Sequence, residues 1–187
     1  MPRGPLKLNL GCGSTKLPGY INIDSEKSCK PDLVLDLFKE SLPYKLASVD
    51  EVVLFHTIEH IPKKLHHVVL KQVHRVLKKD GTFIISYPEW SKCATRWLRN
   101  HKGKRSFWEA TLYGRQLYPS DAHVCIMDTI EFKHKLEENG FKSVKCYPEP
   151  EPNEFNTIVV CKKAAAYVNY EEMVLQGMKS TKILKIG

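Results

Sequence analysis

Long apolar runs are missing from this chain: none of its 187 residues falls in a stretch able to cross a bilayer. The opening, Met1-Pro2-Arg3-Gly4-Pro5, passes straight into a strand-like run and shows no signal-peptide apolar region. Cys-x-x-Cys is missing too. The six cysteines stand apart at positions 12, 29, 93, 125, 146 and 161, which suggests neither a zinc ribbon nor a thioredoxin-type site. Several sit in apolar runs, where free buried thiols are the usual outcome, and a reducing cytoplasm fits best. Acidic residues are absent between Glu89 and Glu109. The net charge of +8 permits an anionic partner, such as nucleic acid or a phosphorylated metabolite, without requiring one. Hydrophobic residues at 42% and charged residues at 27% describe one soluble globular domain with a sizeable core.

What is present is organised around Leu6-Lys7-Leu8-Asn9-Leu10-Gly11-Cys12-Gly13, answered by Asp24 in Tyr20-Ile21-Asn22-Ile23-Asp24. An apolar run ending in two glycines turns sharply and lets a ligand lie against bare backbone. A second apolar run ending in a carboxylate, paired in parallel with the first, would bring Asp24 beside that turn. There it can accept hydrogen bonds from both ribose hydroxyls, so a nucleoside-bearing cofactor is expected. The link from Gly13 to Ile21 holds Pro18 and Gly19 and is too short for a full crossover helix. The first helix is therefore expected to be missing or reduced to a turn.

Further runs at 32–37, 50–56 and 82–87 are apolar through their length, as in parallel strands covered on both faces. Between the last two, Leu65, Val68, Val69, Val73, Val76 and Leu77 share one helical face. Lys64, His67, Lys71, His74, Arg75 and Lys78 lie largely on the other, and Asp80-Gly81 is read as ending the helix. This strand–helix–strand unit marks an α/β fold. Residues 88–121 break the pattern. Trp90, Trp97, Phe107, Trp108, Tyr113 and Tyr118 interleave with Arg96, Arg99, Lys102, Lys104 and Arg105, as in a lid over the carboxyl edge of the sheet. Thr129–Asn139 is read as a helix stopped by Gly140. Phe141–Tyr147 and Asn156–Cys161 are read as a final antiparallel edge, joined by the loop Pro148–Pro152. Residues 1–163 form the domain, and 164–187 are a tail with a helical stretch at Tyr170–Gln176.

The order of Leu8-Asn9-Leu10-Gly11-Cys12-Gly13, Gly19-Tyr20-Ile21-Asn22-Ile23-Asp24, Leu35-Asp36-Leu37, His56-Thr57-Ile58-Glu59-His60 and Arg75-Val76-Leu77-Lys78-Lys79-Asp80-Gly81 resembles the class I S-adenosylmethionine-dependent methyltransferases. The likeness is to compact members in which the glycine turn runs almost directly into the second strand. It covers about residues 6 to 163. It implies a Rossmann-like, mostly parallel seven-stranded sheet with an antiparallel edge, helices on both faces and a lid after the fifth strand. It also implies that Leu10, Gly11, Cys12 and Gly13 pass under the methionine part of S-adenosyl-L-methionine, and that Asp24 holds the ribose. Asp36 and the Leu37 backbone would lie near the adenine. His56 would sit beside the reacting sulfonium, with Glu59 and His60 just after it, and His123 on a substrate-side loop. A hydroxyl acceptor needs a general base, and His56, His60 and His123 are the candidates, since an unperturbed imidazole titrates near pH ~6.5.

Four rival readings compete with this one. His56-Thr57-Ile58-Glu59-His60 spells His-x-x-Glu-His, but zinc peptidases need it on a helix, and here it follows a β-rich run and meets Pro62, so no metal is expected. A nicotinamide-dependent oxidoreductase wants a third glycine where Lys16 stands, and a phosphate-binding ATPase wants Gly-Lys-Ser/Thr. A non-enzymatic nucleic-acid binder would use the basic lid. The acceptor is expected to be a small molecule or sugar, with nucleic acid the alternative. No Asp-Pro-Pro-Tyr-type motif follows the fourth strand, which counts against adenine amino methylation.

Overall fold

A computed structural model describes residues 4–99 and 105–164, excepting the side chains of Arg105 and Ser106. The expected tail helix and the lid residues Lys102 and Lys104 lie outside the described residues. The chain runs through β1 (Lys7–Leu10), β2 (Ile21–Asp24), β3 (Leu33–Val34), β4 (Val49–Phe55), α1 (His66–Val76) and β5 (Leu77–Pro88). It continues through α2 (Trp90–Arg99), α3 (Arg105–Tyr113), α4 (Thr129–Glu138), β6 (Phe141–Pro148) and β7 (Asn156–Lys163). All seven strands form one sheet in the order β3-β2-β1-β4-β5-β7-β6. β1 to β5 pair in parallel, and β7 runs antiparallel to both β5 and β6. The reversed strand thus lies one place inside the edge, with β6 outermost.

Alternate residues of the central strands divide the sheet into two unlike faces. Leu8, Leu10, Val52, Leu54, Phe83, Ile85 and Tyr87 join one apolar core with Val69, Leu70, Val73 and Val76 of α1 and Phe132 and Leu136 of α4. α1 and α4 share this face, and their side chains meet where His66 stands edge-on to Phe132, ring centroids 6.1 Å apart. On the opposite face, over β1 and β2, Asn9 and Asn22 are buried. Asn9 Nδ2 donates to Thr15 O at 3.2 Å and to Asn22 Oδ1 at 3.0 Å, and the Leu17 amide donates to the same Oδ1 at 2.9 Å. Asp32 Oδ2 accepts from the Asn22 amide at 2.8 Å and from its side chain at 2.9 Å. Side-chain hydrogen bonds therefore hold the short loop where a crossover helix would bury apolar residues. This is how the Gly13–Ile21 link closes without a helix.

The end of α1 differs from the sequence expectation. The helix stops at Val76, and residues 77–88 are already strand. Asp80-Gly81 lies within β5, where its pairing with β4 shifts register between Val49 and Glu51. Asp80 takes φ 58°, and a Cβ at Gly81 would stand 2.9 Å from the Lys78 carbonyl, so the pair makes a bulge rather than a helix stop. His74, expected on the solvated face, is buried and stacks edge-on against Phe141. The antiparallel arm of β6 and β7 reaches over that part of α1.

Candidate active site

At the carboxyl end of β1 the chain turns through Gly11 and Gly13 at φ 63° and 49°, left-handed values that favour glycine. A Cβ on Gly11 would stand 2.3 Å from Thr57 Cγ2 and Oγ1, so this position tolerates no side chain. The one hydroxyl proton of Thr57 is shared between the Phe55 carbonyl at 2.9 Å and the Gly11 carbonyl at 3.2 Å, which ties the turn to the end of β4. The parallel register of β1 and β2 places Asp24 alongside. Its Oδ2 accepts from the Gly13 amide at 2.7 Å and its Oδ1 from the Glu26 amide at 2.8 Å. The carboxylate faces the glycine bend, and each oxygen keeps acceptor capacity for a further hydroxyl. Lys16, which stands where a dinucleotide motif would have glycine, donates to the Cys29 carbonyl at 2.6 Å and to Gly13 O at 3.2 Å.

β3 is only two residues long, so Asp36 lies beyond the strand in the turn that follows. Its Oδ1 accepts from the Phe38 amide at 3.1 Å, and Lys39 pairs with Oδ2 at 2.9 Å. Burial works against its ionisation, but Lys39 and the backbone amides prevail and hold its pKa below the usual aspartate value. Asp36 and Leu37 both border the cavity described below. Leu10 does not: its side chain is fully buried in the core, and only its backbone leads into the turn.

The third element of the site is the turn after β4. His56 takes φ 47°, a left-handed conformation rare for histidine, and its amide donates to Ser86 O at 2.9 Å. Its Nε2 lies 3.2 Å from Glu149 Oε1 and its Nδ1 3.5 Å from Glu59 Oε1. Burial lowers the pKa of this imidazole, but the two carboxylates outweigh it and raise it to about 9. The two carboxylates thus favour the protonated form of His56, which makes it a less ready proton acceptor than a free imidazole. Residues Ile58–His60 form a single 3₁₀ turn, so His56 and His60 do not share a helical face and the peptidase arrangement is not formed.

Glu59 is 1% exposed, and neither carboxylate oxygen has a hydrogen-bond partner. Its backbone carbonyl accepts from the amides of Val124 at 3.0 Å and Cys125 at 3.3 Å, which clamps the returning end of the lid against this turn. That clamp delivers His123, whose Nε2 lies 4.0 Å from Glu59 Oε1. Burial lowers the His123 pKa, with Glu59 opposing. The His60 and His123 rings meet edge-on at 4.7 Å, and His60 Nδ1 lies 3.1 Å from the Ala122 carbonyl.

One cavity of about 850 Å³ joins these parts, bordered by Gly11, Gly13, Asp24, Asp36, His56 and Glu59 on the sheet side. Phe107, Thr111, Arg115, Tyr118 and His123 border it from the lid side. Of the lid's basic residues, Arg96 bonds Pro152 O at 2.9 Å, pairs with Glu154 and lies over the Phe155 ring. The lid also supplies Arg115, whose guanidinium is 3.8 Å from Asp121. Glu149 is the main group that sequence reading missed. It sits in a loop read only as a turn, and 93 residues separate it from His56, so no local spacing connects them.

The profile of the family described as "Methyltransferase domain" matches residues 15–145. No curated protein matches the chain significantly. Among solved structures, a SAM-dependent methyltransferase from Archaeoglobus fulgidus superposes with TM-score 0.62 at 17% identity, covering 86% of this chain and 87% of that one. One from Methanosarcina mazei gives TM-score 0.59 at 18% identity, covering 86% and 92%. A Burkholderia thailandensis 1,6-didemethyltoxoflavin-N1-methyltransferase, solved with S-adenosylhomocysteine bound, gives 0.57 at 13% identity over 86% and 72%. At these identities the structures speak to the fold, and the family match carries the assignment. It leaves the oxidoreductase, ATPase and peptidase readings without support. The chain belongs to the methyltransferase domain family, as a class I S-adenosylmethionine-dependent methyltransferase.

Proposed function

We propose that the chain methylates a small molecule or sugar held between the turn after β4 and the lid. The observation that carries this reading is the single cavity running from the glycine turn and Asp24 to His123 and Phe107. The residues fit the donor. A Cβ on Gly13 would meet nothing within 4 Å, so bare backbone faces open space where a ligand can lie. Asp24 offers its remaining lone pairs to ribose hydroxyls, and Asp36 borders the same space where the adenine would lie. When bound, S-adenosyl-L-methionine supplies a sulfonium methyl already activated for in-line displacement, so positioning the acceptor supplies much of the rate.

Thr57 and the Gly11 backbone hold the two strand ends together and set the donor side. Glu59, His60 and His123 organise the acceptor side, and the two imidazoles are the groups able to lower the barrier for a hydroxyl to lose its proton. His56 serves there as a fixed positive charge, held by Glu149 and Glu59. Small acceptors are favoured over nucleic acid because the lid's Arg96 turns inward and spends its charge on Glu154. Incubating the protein with methyl-labelled donor and cell extract, then fractionating by size, tests this. Label is expected in the low-mass fraction, and label confined to RNA or DNA would reverse the choice of acceptor.

A further inference from the structure

We infer that Glu59, His60 and His123 form a binding site for one divalent transition-metal ion, zinc foremost. One donor atom from each residue lies within 4.8 Å of the other two. Two imidazoles and a carboxylate are a donor set that zinc accepts while keeping a position open for a further ligand. Bound ligands at ~2.1 Å would stand ~3.4 Å apart around a tetrahedral ion, so the side chains close by ~1 Å on binding.

The independent observation is the state of Glu59. A carboxylate 1% exposed, with no hydrogen-bond partner on either oxygen, has its desolvation only partly offset by the ion pair with His56. Its nearest positive charge, His56 Nδ1, is 3.5 Å away, and His56 has a second carboxylate in Glu149. An ion coordinated by Glu59 would supply the missing partner and leave His56 with Glu149. The outer contacts are in place as well. His60 Nδ1 lies 3.1 Å from Ala122 O, a carbonyl that can only accept, so Nδ1 carries the hydrogen and Nε2 keeps the lone pair available to an ion. The His123 ring is hydrogen-bonded to the Thr111 backbone. The set differs from the His-x-x-Glu-His reading, because His123 replaces His56 as second imidazole. All three residues border the large cavity, so the open position faces the space assigned above to the acceptor. With an ion bound, both imidazole lone pairs would be committed to it, and the ion in place of a free imidazole would ease loss of the proton from an oxygen-bearing acceptor; only this consequence rests on the proposed function.

The test titrates tag-free, chelator-treated protein with Zn²⁺ alone and with Co²⁺ alone, without donor or acceptor. Calorimetry is expected to show one equivalent bound, and Co²⁺ to give visible absorption of a low-coordinate nitrogen–oxygen site. Glu59→Gln and His123→Asn should each weaken binding at least tenfold. Zn²⁺ should raise the melting temperature of the wild type and not of either variant. Without metal, the circular dichroism of Glu59→Gln and His123→Asn should match that of wild type, and this serves as the fold control. Absence of saturable binding, or binding untouched by both substitutions, overturns the inference. Because no transfer is measured, either result leaves the methyltransferase reading standing.

Discussion

Asp24 shows how much a single side chain holds in this site. Its two oxygens fix the amides of Gly13 and Glu26, and its free lone pairs face the cavity. Asn keeps the size but loses the charge and one acceptor. Hydrogen bonds to charged groups contribute ~1.5–3 kcal/mol each, so Asp24→Asn should weaken S-adenosylhomocysteine binding by roughly 10- to 100-fold, measured by calorimetry. Gly11→Ala should go further. The new Cβ overlaps Thr57 at 2.3 Å, so the variant is expected to lose both donor binding and several degrees of melting temperature. A variant that melted and bound as wild type would show that the turn can move away from β4.

Elements decide what residues cannot. The crossover between β2 and β3 is a turn held by Asp32, whose pKa lies below the ordinary value because the Asn22 backbone and side chain both donate to it. A depressed carboxylate adds stability above its unfolded pKa and loses it as pH falls through the folded value. Asp32→Ala should therefore lower the melting temperature at pH 7, and the gap to wild type should close below about pH 3.8. A gap that persists at lower pH would mean packing rather than charge is lost. The lid depends on Gly114 at φ 78°, where a Cβ would stand 2.0 Å from Asp121 O. The His123 amide donates to Tyr113 O at 3.0 Å beside it. Gly114→Ala should displace His123 and cut transfer at least tenfold, with S-adenosylhomocysteine affinity unchanged within twofold. Equal loss of both would make the lid part of the donor site.

At the scale of the whole molecule, one apolar core on the α1–α4 face carries the fold, and the site lies at its carboxyl edge. Leu54, fully buried in β4 beneath the His56 turn, is central to it. Leu54→Ala should cost about 2–5 kcal/mol in urea unfolding, against ~0.5 kcal/mol for a surface change. The strand sequence, the missing first helix and the glycine–Asp24 pairing were legible because each is local. An apolar run, a short link and a strand-end carboxylate are properties of neighbouring residues. The length of α1 was misread because Asp80-Gly81 has turn chemistry whether it ends a helix or makes a bulge, and only pairing with β4 chooses. His74 was misplaced because its burial comes from β6, which returns to it from far along the chain.

The chain's own residues settled an α/β sheet with a glycine turn and an acid beside it, since backbone conformation and strand periodicity are written at short range. Tertiary structure alone decided which side chains meet at the turn after β4. Glu149 reaches His56 across 93 residues, and the lid carries His123 back to Glu59 and His60. Such meetings leave no trace in spacing. They arise when strand order brings the carboxyl ends of β4 and β5 and the start of β7 to one edge, where Phe107, Thr111 and His123 border the same cavity.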